Sequence, residues 1–355
     1  MENKTNEVLN YETPLEALAQ EITDNHVFYK RNHFPSPEIS SADWNLKIEL
    51  GSVKASFSLD ELRSFQQRSV SAVLECAGNM RTNFGFKVEG EFEWGNGAVA
   101  SAIWTGVPLN FLITKSGFNW SELSEITEVI FVGSDGATQI EVPIESRKKY
   151  ARSLPHEKAL DQDTIVALGM NGQALPKDHG FPARVKVPGW YAMASVKWLD
   201  RIILSKSAEE FQGYFNKTKY VYVTEESSEP KITPVTNLRV KSLITNLVSG
   251  QSVKLGKPIT IEGKAWSGHG KITKVEVDLG NGWKEASISN NGKLGANAWT
   301  SWTADWTPNV KGSVLVRVRA TDQAGNVQPE YPLQNKFLYG YNAMQKLSLN
   351  VVSED

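Results

Sequence analysis

The sequence predicts a two-part molecule: an irregular α+β domain over residues 1–230, then an all-β sandwich over residues 236–355. Three observations predict it. The chain has 355 residues, more than one ordinary hydrophobic core organises. The first part mixes a capped helix with β-rich runs, whereas the second holds only short alternating runs. Between them lies Glu225 to Pro234, a polar, proline-bearing stretch that reads as a linker.

The elements follow in order. Ser58-Leu59-Asp60-Glu61 is a capping box, with Phe57 and Leu62 placed as a hydrophobic staple, so a short helix is expected to about Gln67. Val70 to Glu75 is a β-rich run that ends at Cys76, and Ala77-Gly78-Asn79 is a tight turn. Cys76 therefore sits at a strand end, where side chains face sites. Val99 to Trp104, Glu128 to Val132, Thr164 to Leu168, Arg184 to Val187 and Val196 to Leu204 read as further strands. Beyond the linker, strands are expected at Pro258 to Trp266, Ile272 to Leu279, Trp299 to Trp306, Ser313 to Ala320 and Lys346 to Val352. The fourth is the clearest, with Val314, Val316, Val318 and Ala320 alternating against Arg317 and Arg319. Gly280-Asn281-Gly282 signals a hairpin. Roughly seven short strands in about 115 residues suit a sandwich of immunoglobulin type. Five of the eleven tryptophans lie between Trp266 and Trp306, so they are expected to fill that core or a subunit interface.

Composition excludes several chemistries. The formal net charge of −2 gives no field for nucleic acid or an anionic membrane, so an anion site has to be a local cluster. The single cysteine, Cys76, forms no intrachain disulfide and no cysteine-based zinc or iron–sulfur site. Five histidines without an HExxH pattern argue against a histidine cage. No apolar run approaches the ~20 residues of a membrane span, and no leader is visible. The expectation is a soluble protein, cytoplasmic as written and periplasmic if a leader was removed.

Two segments carry chemistry: Arg31-Asn32-His33, and Cys76-Ala77-Gly78-Asn79-Met80-Arg81. A lone cysteine is more often a small buried apolar residue. Here a turn follows it and a guanidinium lies five residues on, and nearby cations favour the thiolate.

Taken together, the segments resemble the sulfite oxidase family of molybdenum–molybdopterin enzymes. The matching blocks begin with Phe28 to Pro35, Cys76 to Arg81, Gly90 to Trp94 with Gly97-Ala98, and Trp104 to Leu109. They continue with Met170-Asn171-Gly172 through Leu175-Pro176, His179 to Arg184, Val187-Pro188-Gly189 and Val196 to Leu199. In the second half, Ala265 to Gly268, Ala320-Thr321-Asp322 and Gly325 to Pro329 resemble the family's immunoglobulin-like dimerisation domain. The blocks run in order from about residue 26 to the C-terminus.

The resemblance implies a molybdopterin-binding domain followed by that dimerisation domain, and a homodimer. It makes Cys76 the sole protein ligand to molybdenum, the pterin supplying the other sulfurs. It assigns cofactor contacts to Tyr29, Lys30, Arg31, Asn32, His33, Asp135, His179, Arg184, Ser195, Val196 and Lys197; Arg and Lys are natural phosphate partners. Arg31 and Arg81 match its anion-binding arginines, Tyr220 its active-site tyrosine and Trp94 a channel tryptophan. The implied reaction oxidises sulfite to sulfate, with electrons leaving to a separate acceptor such as cytochrome c. Two departures stand out. Glu89 and Lys87 lie where relatives often have a lysine. Gly268-His269-Gly270-Lys271 replaces a glycine-rich loop ending in arginine, and Lys271 keeps the charge but not the fork. Three rival readings are a sulfane dehydrogenase subunit acting on protein-bound sulfur, the nitrate reductase branch, disfavoured without its haem and flavin domains, and a non-catalytic β-sandwich binding protein.

Overall fold

A computed structural model describes residues 8–118, 120–136, 148–207, 211–224, 230–289 and 294–353. The first part carries two larger sheets. One runs Gln173–Ala174, Ile165–Met170, Val99–Pro108, Arg68–Glu75, with Arg184–Lys186 also pairing to Ile165–Met170. The other runs Val53–Ser58, Asn45–Leu50, Leu199–Ser205, Glu128–Gly136, Lys149–Pro155. Within it, Leu199–Ser205 lies parallel to Asn45–Leu50 and antiparallel to Glu128–Gly136.

The capping box forms. Ser58 Oγ accepts from the Glu61 amide at 3.2 Å, and the Glu61 carboxylate accepts from the Ser58 amide at 2.8 Å. The helix is Leu59–Ser64, shorter than expected, because Phe65 adopts extended backbone. The Gln67 side chain then donates to the freed Leu62 and Phe65 carbonyls at 2.8 and 3.0 Å.

The second part is a two-sheet sandwich. Lys241–Ile244, Ile259–Trp266, Thr300–Trp306 and Ser287–Ser289 form one sheet. Ser252–Lys254, Gln345–Val352, Gly312–Asp322, Ile272–Asp278 and Trp283–Glu285 form the other. Ile261, Val275, Trp302, Val316, Val318 and Leu349 meet between them, the inward positions of alternating strands. Asp278 accepts from the Gly280 and Gly282 amides, both at 3.0 Å, closing the glycine hairpin.

Three expectations are corrected. Part of the linker is structure: Lys231–Pro234 pairs antiparallel with Val221–Thr224, with the β-branched Ile232 and Thr233 inside the strand and Pro234 at its end. Residues 225–229 lie outside the described residues. Val196 to Trp198 is not strand; Trp198 has φ of 49°, a left-handed turn that breaks the ladder before Leu199. The five tryptophans divide. Trp302 and Trp306 fill the sandwich, and the Trp283 ring lies under the Arg319 guanidinium at 4.2 Å. Trp266 and Trp299 instead join the main core of the first part, together with Leu238, Leu243 and Tyr339. The two parts thus share apolar packing rather than hanging on a tether.

Candidate active site

The turn after strand Arg68–Glu75 is fixed from both sides. The Cys76 amide donates to the Ala98 carbonyl at 2.9 Å, and the Cys76 carbonyl accepts from the Asn79 amide at 2.9 Å. Asn79 adds its side chain, accepting from the Ala98 amide at 3.1 Å and donating to Glu75 at 3.0 Å. Gly78 is required by close approach: a Cβ there would lie 2.7–2.9 Å from the Arg81 guanidinium. The Cys76 side chain, 6% exposed, lines a cavity. Burial pushes its thiol up, while Arg31, the Gly78 backbone and Arg81 pull it down.

Tyr29, Lys30, Arg31, Asn32, His33, Cys76, Asp135, His179, Arg184, Ser195, Lys197 and Tyr220 all line that cavity. Strand Lys30–Arg31 pairs with Asn10–Tyr11 and brings in the N-terminal segment. Arg31 donates to Asn10 Oδ1 at 3.2 Å, to the Asn32 carbonyl, and to His33 Nδ1 at 3.3 Å. It makes no ion pair among the described residues. Because arginine only donates, His33 Nδ1 accepts, and its proton sits on Nε2. That N–H faces Tyr220 Oη at 2.6 Å. The phenol therefore accepts from His33, and its own proton is free for the cavity. Burial, with Arg31 and Lys219 nearby, holds the His33 imidazole neutral, well below the usual range.

Lys197 and Arg184 add cations to the cavity lining. Lys197 Nζ donates to Asn32 Oδ1 and to the Asp178 carbonyl, the latter at 2.8 Å. The left-handed turn at Trp198 delivers it, with Nζ 4.2 Å from the Trp198 ring centroid. Arg184 donates to the carbonyls of His179 and Ser195 at 2.9 and 2.8 Å, and lies 5.0 Å over the Trp104 ring. Burial lowers its pKa to about 10. His179 is lowered to about 3 by burial and by Lys197 and Arg184. Asp135 is raised to about 7 by burial, against the pull of Lys197.

Four buried polar atoms around this cavity have no partner among the described residues: Tyr29 Oη, Asp135 Oδ1, His179 Nε2 and Arg184 Nε. Buried polar atoms are nearly always paired, so four orphans facing one cavity mark a site built for a polar ligand. They comprise a phenol, a carboxylate oxygen, a neutral imidazole nitrogen and one guanidinium N–H, a set suited to a phosphate-bearing heterocycle with polar edges. Among the described residues no three His, Cys, Asp or Glu side chains gather as a metal cage.

Four predicted residues lie apart. Val196 is buried, and its carbonyl accepts from the Val185 amide at 2.9 Å. Arg81 lies behind the Cys76 turn, donating to the carbonyls of Phe92 and Phe337 at 2.6 and 3.2 Å and pairing with Glu91 at 3.2 Å. Expected at the anion pocket, Lys271 instead lines a separate cavity with Glu21, Trp299 and Gln323, because its loop stays with the sandwich edge. Trp94 is buried in the core beside Cys76 and does not line the cavity. Sequence reasoning missed Tyr150 and Trp198, which line the cavity, and Glu91, Lys219 and Tyr339 around Arg81. Trp198 and Glu91 lie inside matched blocks and Lys219 precedes Tyr220, whereas Tyr150 and Tyr339 carried no signal.

Residues 33–215 match the oxidoreductase molybdopterin binding domain, and residues 233–346 match the Mo-co oxidoreductase dimerisation domain. The mitochondrial sulfite oxidase of Drosophila melanogaster is 33% identical over 90% of this chain. The chain belongs to the sulfite oxidase family of molybdopterin oxidoreductases. As a family member its first domain carries the molybdenum cofactor. It spans 58% of the fly protein's length. The NADH nitrate reductase of Solanum lycopersicum is 31% identical over 96% of this chain, which spans 40% of that protein. Among solved structures, the sulfane dehydrogenase SoxCD of Paracoccus pantotrophus superposes with a TM-score of 0.79 at 27% identity, covering 99% of this chain and 88% of that one. No helix among the described residues is long and apolar enough to cross a membrane.

Proposed function

We propose that the protein oxidises sulfite to sulfate at a molybdenum–molybdopterin centre and passes the electrons to an external acceptor such as cytochrome c. The observation that carries the reading is the convergence on one cavity of the Cys76 thiol, the Arg31 cation and four polar atoms, Arg31 having no ion pair and the four atoms no partner among the described residues. Residues 1–230 form the cofactor unit, and residues 236–355 form an immunoglobulin-like unit through which two copies pair.

Cys76 would hold the metal. Tyr29, Lys30, Asn32, Asp135, His179, Arg184, Ser195 and Lys197, which line the cavity, would hold the pterin and its phosphate. When bound, the cofactor supplies the two-electron chemistry and the transferable oxygen. The chain's residues do the rest by electrostatics and position. Arg31 and Arg81 favour the Cys76 thiolate over the buried thiol. Arg31, without a carboxylate partner among the described residues, draws the oxyanion in and orients it. The Tyr220 hydroxyl, turned outward by His33, donates to a substrate oxygen. Burial of Cys76 and Tyr220 keeps bulk water off the reacting side.

The test is expression with molybdate, elemental analysis, and initial rates with sulfite, thiosulfate and nitrate. Sulfite turnover is expected to exceed the other two. Molybdenum-loaded protein that prefers nitrate or thiosulfate would overturn the assignment. A second reading, oxidation of sulfane sulfur on a partner protein, draws support from the likeness to SoxCD.

A further inference from the structure

Arg81 does not present a bare cation. Its guanidinium meets the Glu91 carboxylate at 3.2 Å, and the other Glu91 oxygen takes Lys219 Nζ. The Arg81 and Glu91 side chains are only 4% and 6% exposed. One carboxylate is thus held between two cations in a nearly dry place, the arrangement a bound oxyanion would adopt. The place adjoins the reacting cavity. Arg81 packs on Gly78, two residues past Cys76, and lies 5.2 Å over the Tyr339 ring. Tyr339 stacks on Tyr220 at 5.4 Å and has a buried hydroxyl without a partner. Lys219 precedes Tyr220 in the chain. Glu91 arrives on the segment after Arg81, whose Phe92 carbonyl also takes the guanidinium, so the carboxylate is delivered rather than stray.

We infer that Glu91 is a specificity-determining residue: its carboxylate is the resident occupant of an anion site made by Arg81 and Lys219, and an incoming oxyanion displaces it or binds at Arg31 alone. The inference rests on reading the Cys76 cavity as an oxyanion pocket. The site then discriminates by charge, because a doubly charged anion gains most from two cations and loses most to a carboxylate already between them. A purely structural ion pair makes the opposite prediction, since its loss would loosen Arg81 and weaken every anion.

The experiment measures sulfate binding to the molybdenum-loaded, oxidised protein by titration calorimetry. Sulfate is not turned over, so binding is read apart from catalysis. Glu91→Gln is expected to bind sulfate roughly tenfold more tightly than the wild type, a change of about 1.4 kcal/mol. Adding Lys219→Met to Glu91→Gln is expected to remove that gain. If Glu91→Gln does not fold, Glu91→Asp, one methylene short of spanning both cations, is expected to give a smaller gain of the same sign. Sulfate binding that is unchanged or weaker in the folded variant overturns the inference. Tighter sulfate binding in a protein that does not oxidise sulfite keeps Glu91 as the occupant and removes the sulfite reading.

Discussion

Glu75 and Lys241 stand 166 residues apart in sequence and meet at 2.5 Å, with neither side chain exposed to solvent. Glu75 also accepts from Trp266 Nε1 at 2.8 Å and from Asn79 at 3.0 Å. Cys76 follows it in the chain. One residue further, the Ala77 carbonyl accepts from the Gly340 amide at 2.7 Å. Lys241, Trp266 and Gly340 all come from beyond residue 236, so the sandwich part is built into the seat of the cysteine.

Lys241→Met leaves a buried carboxylate without its cation, and it is expected to destabilise the fold by about 3–5 kcal/mol. Adding Glu75→Gln removes the stranded charge while keeping an acceptor for Trp266. The double variant is expected to recover much of the loss. Urea unfolding of the wild type, the single variant and the double variant measures this. A double variant no better than the single would mean that the charge is not the cause.

Cys76→Ser replaces a buried thiol by a smaller hydroxyl in a turn whose hydrogen bonds come from backbone and Asn79. The expected result is a melting temperature within a few degrees of the wild type and loss of the cysteine-sulfur-to-molybdenum part of the visible absorption, the pterin sulfurs keeping theirs. Thermal melting and a visible spectrum check both.

Tyr220→Phe removes the phenolic proton that His33 directs toward the cavity. Turnover is expected to fall by roughly 10²-fold, the scale of one lost transition-state donor. His33→Ala is expected to lower turnover as well, by releasing the hydroxyl to rotate, with a smaller effect on sulfate binding. Steady-state kinetics beside calorimetry separate the two.

His179 gives a pH signature to the cofactor-free protein. Its folded pKa, about 3, lies below the ordinary 6.5. Between these values the unfolded chain holds the proton and the folded one does not, so stability is fully present above about 6.5 and is lost as the pH falls toward about 3. His33 shifts in the same direction. Asp135 acts in the opposite sense, since its pKa is raised from 3.8 to about 7, and stability falls as the pH rises between them. His179→Asn is expected to flatten the loss below pH 6.5. Denaturant melts at several pH values show the slope.

Local features were legible in the sequence for local reasons. The Ser58 to Glu61 box, the glycine hairpin after Asp278 and the placement of Cys76 at a strand end depend on neighbours within four residues. The cavity wall was legible through matched blocks, which fix residue types though not contacts. What escaped depends on long-range packing. Glu91 sits in an acidic surface stretch, and nothing in its neighbours says that it turns inward to Arg81. Trp266 and Trp299 look like sandwich core by composition, but their indole N–H groups reach the Glu75 carboxylate and the Glu21 carbonyl. Lys271 matched by position in its loop, and the loop carries it to another cavity. Trp198 interrupts a run with good β propensity because its left-handed backbone brings Lys197 to the site.

The measurement that tests the central claim most directly is the sulfite-dependent reduction of ferricyanide by the molybdenum-loaded protein, run beside Cys76→Ser. Ferricyanide accepts electrons without a dedicated docking partner, so the assay isolates the site. The account predicts rapid reduction by the wild type and none above background by Cys76→Ser. Equal rates from both proteins, or no sulfite-dependent rate from a fully loaded wild type, would contradict it.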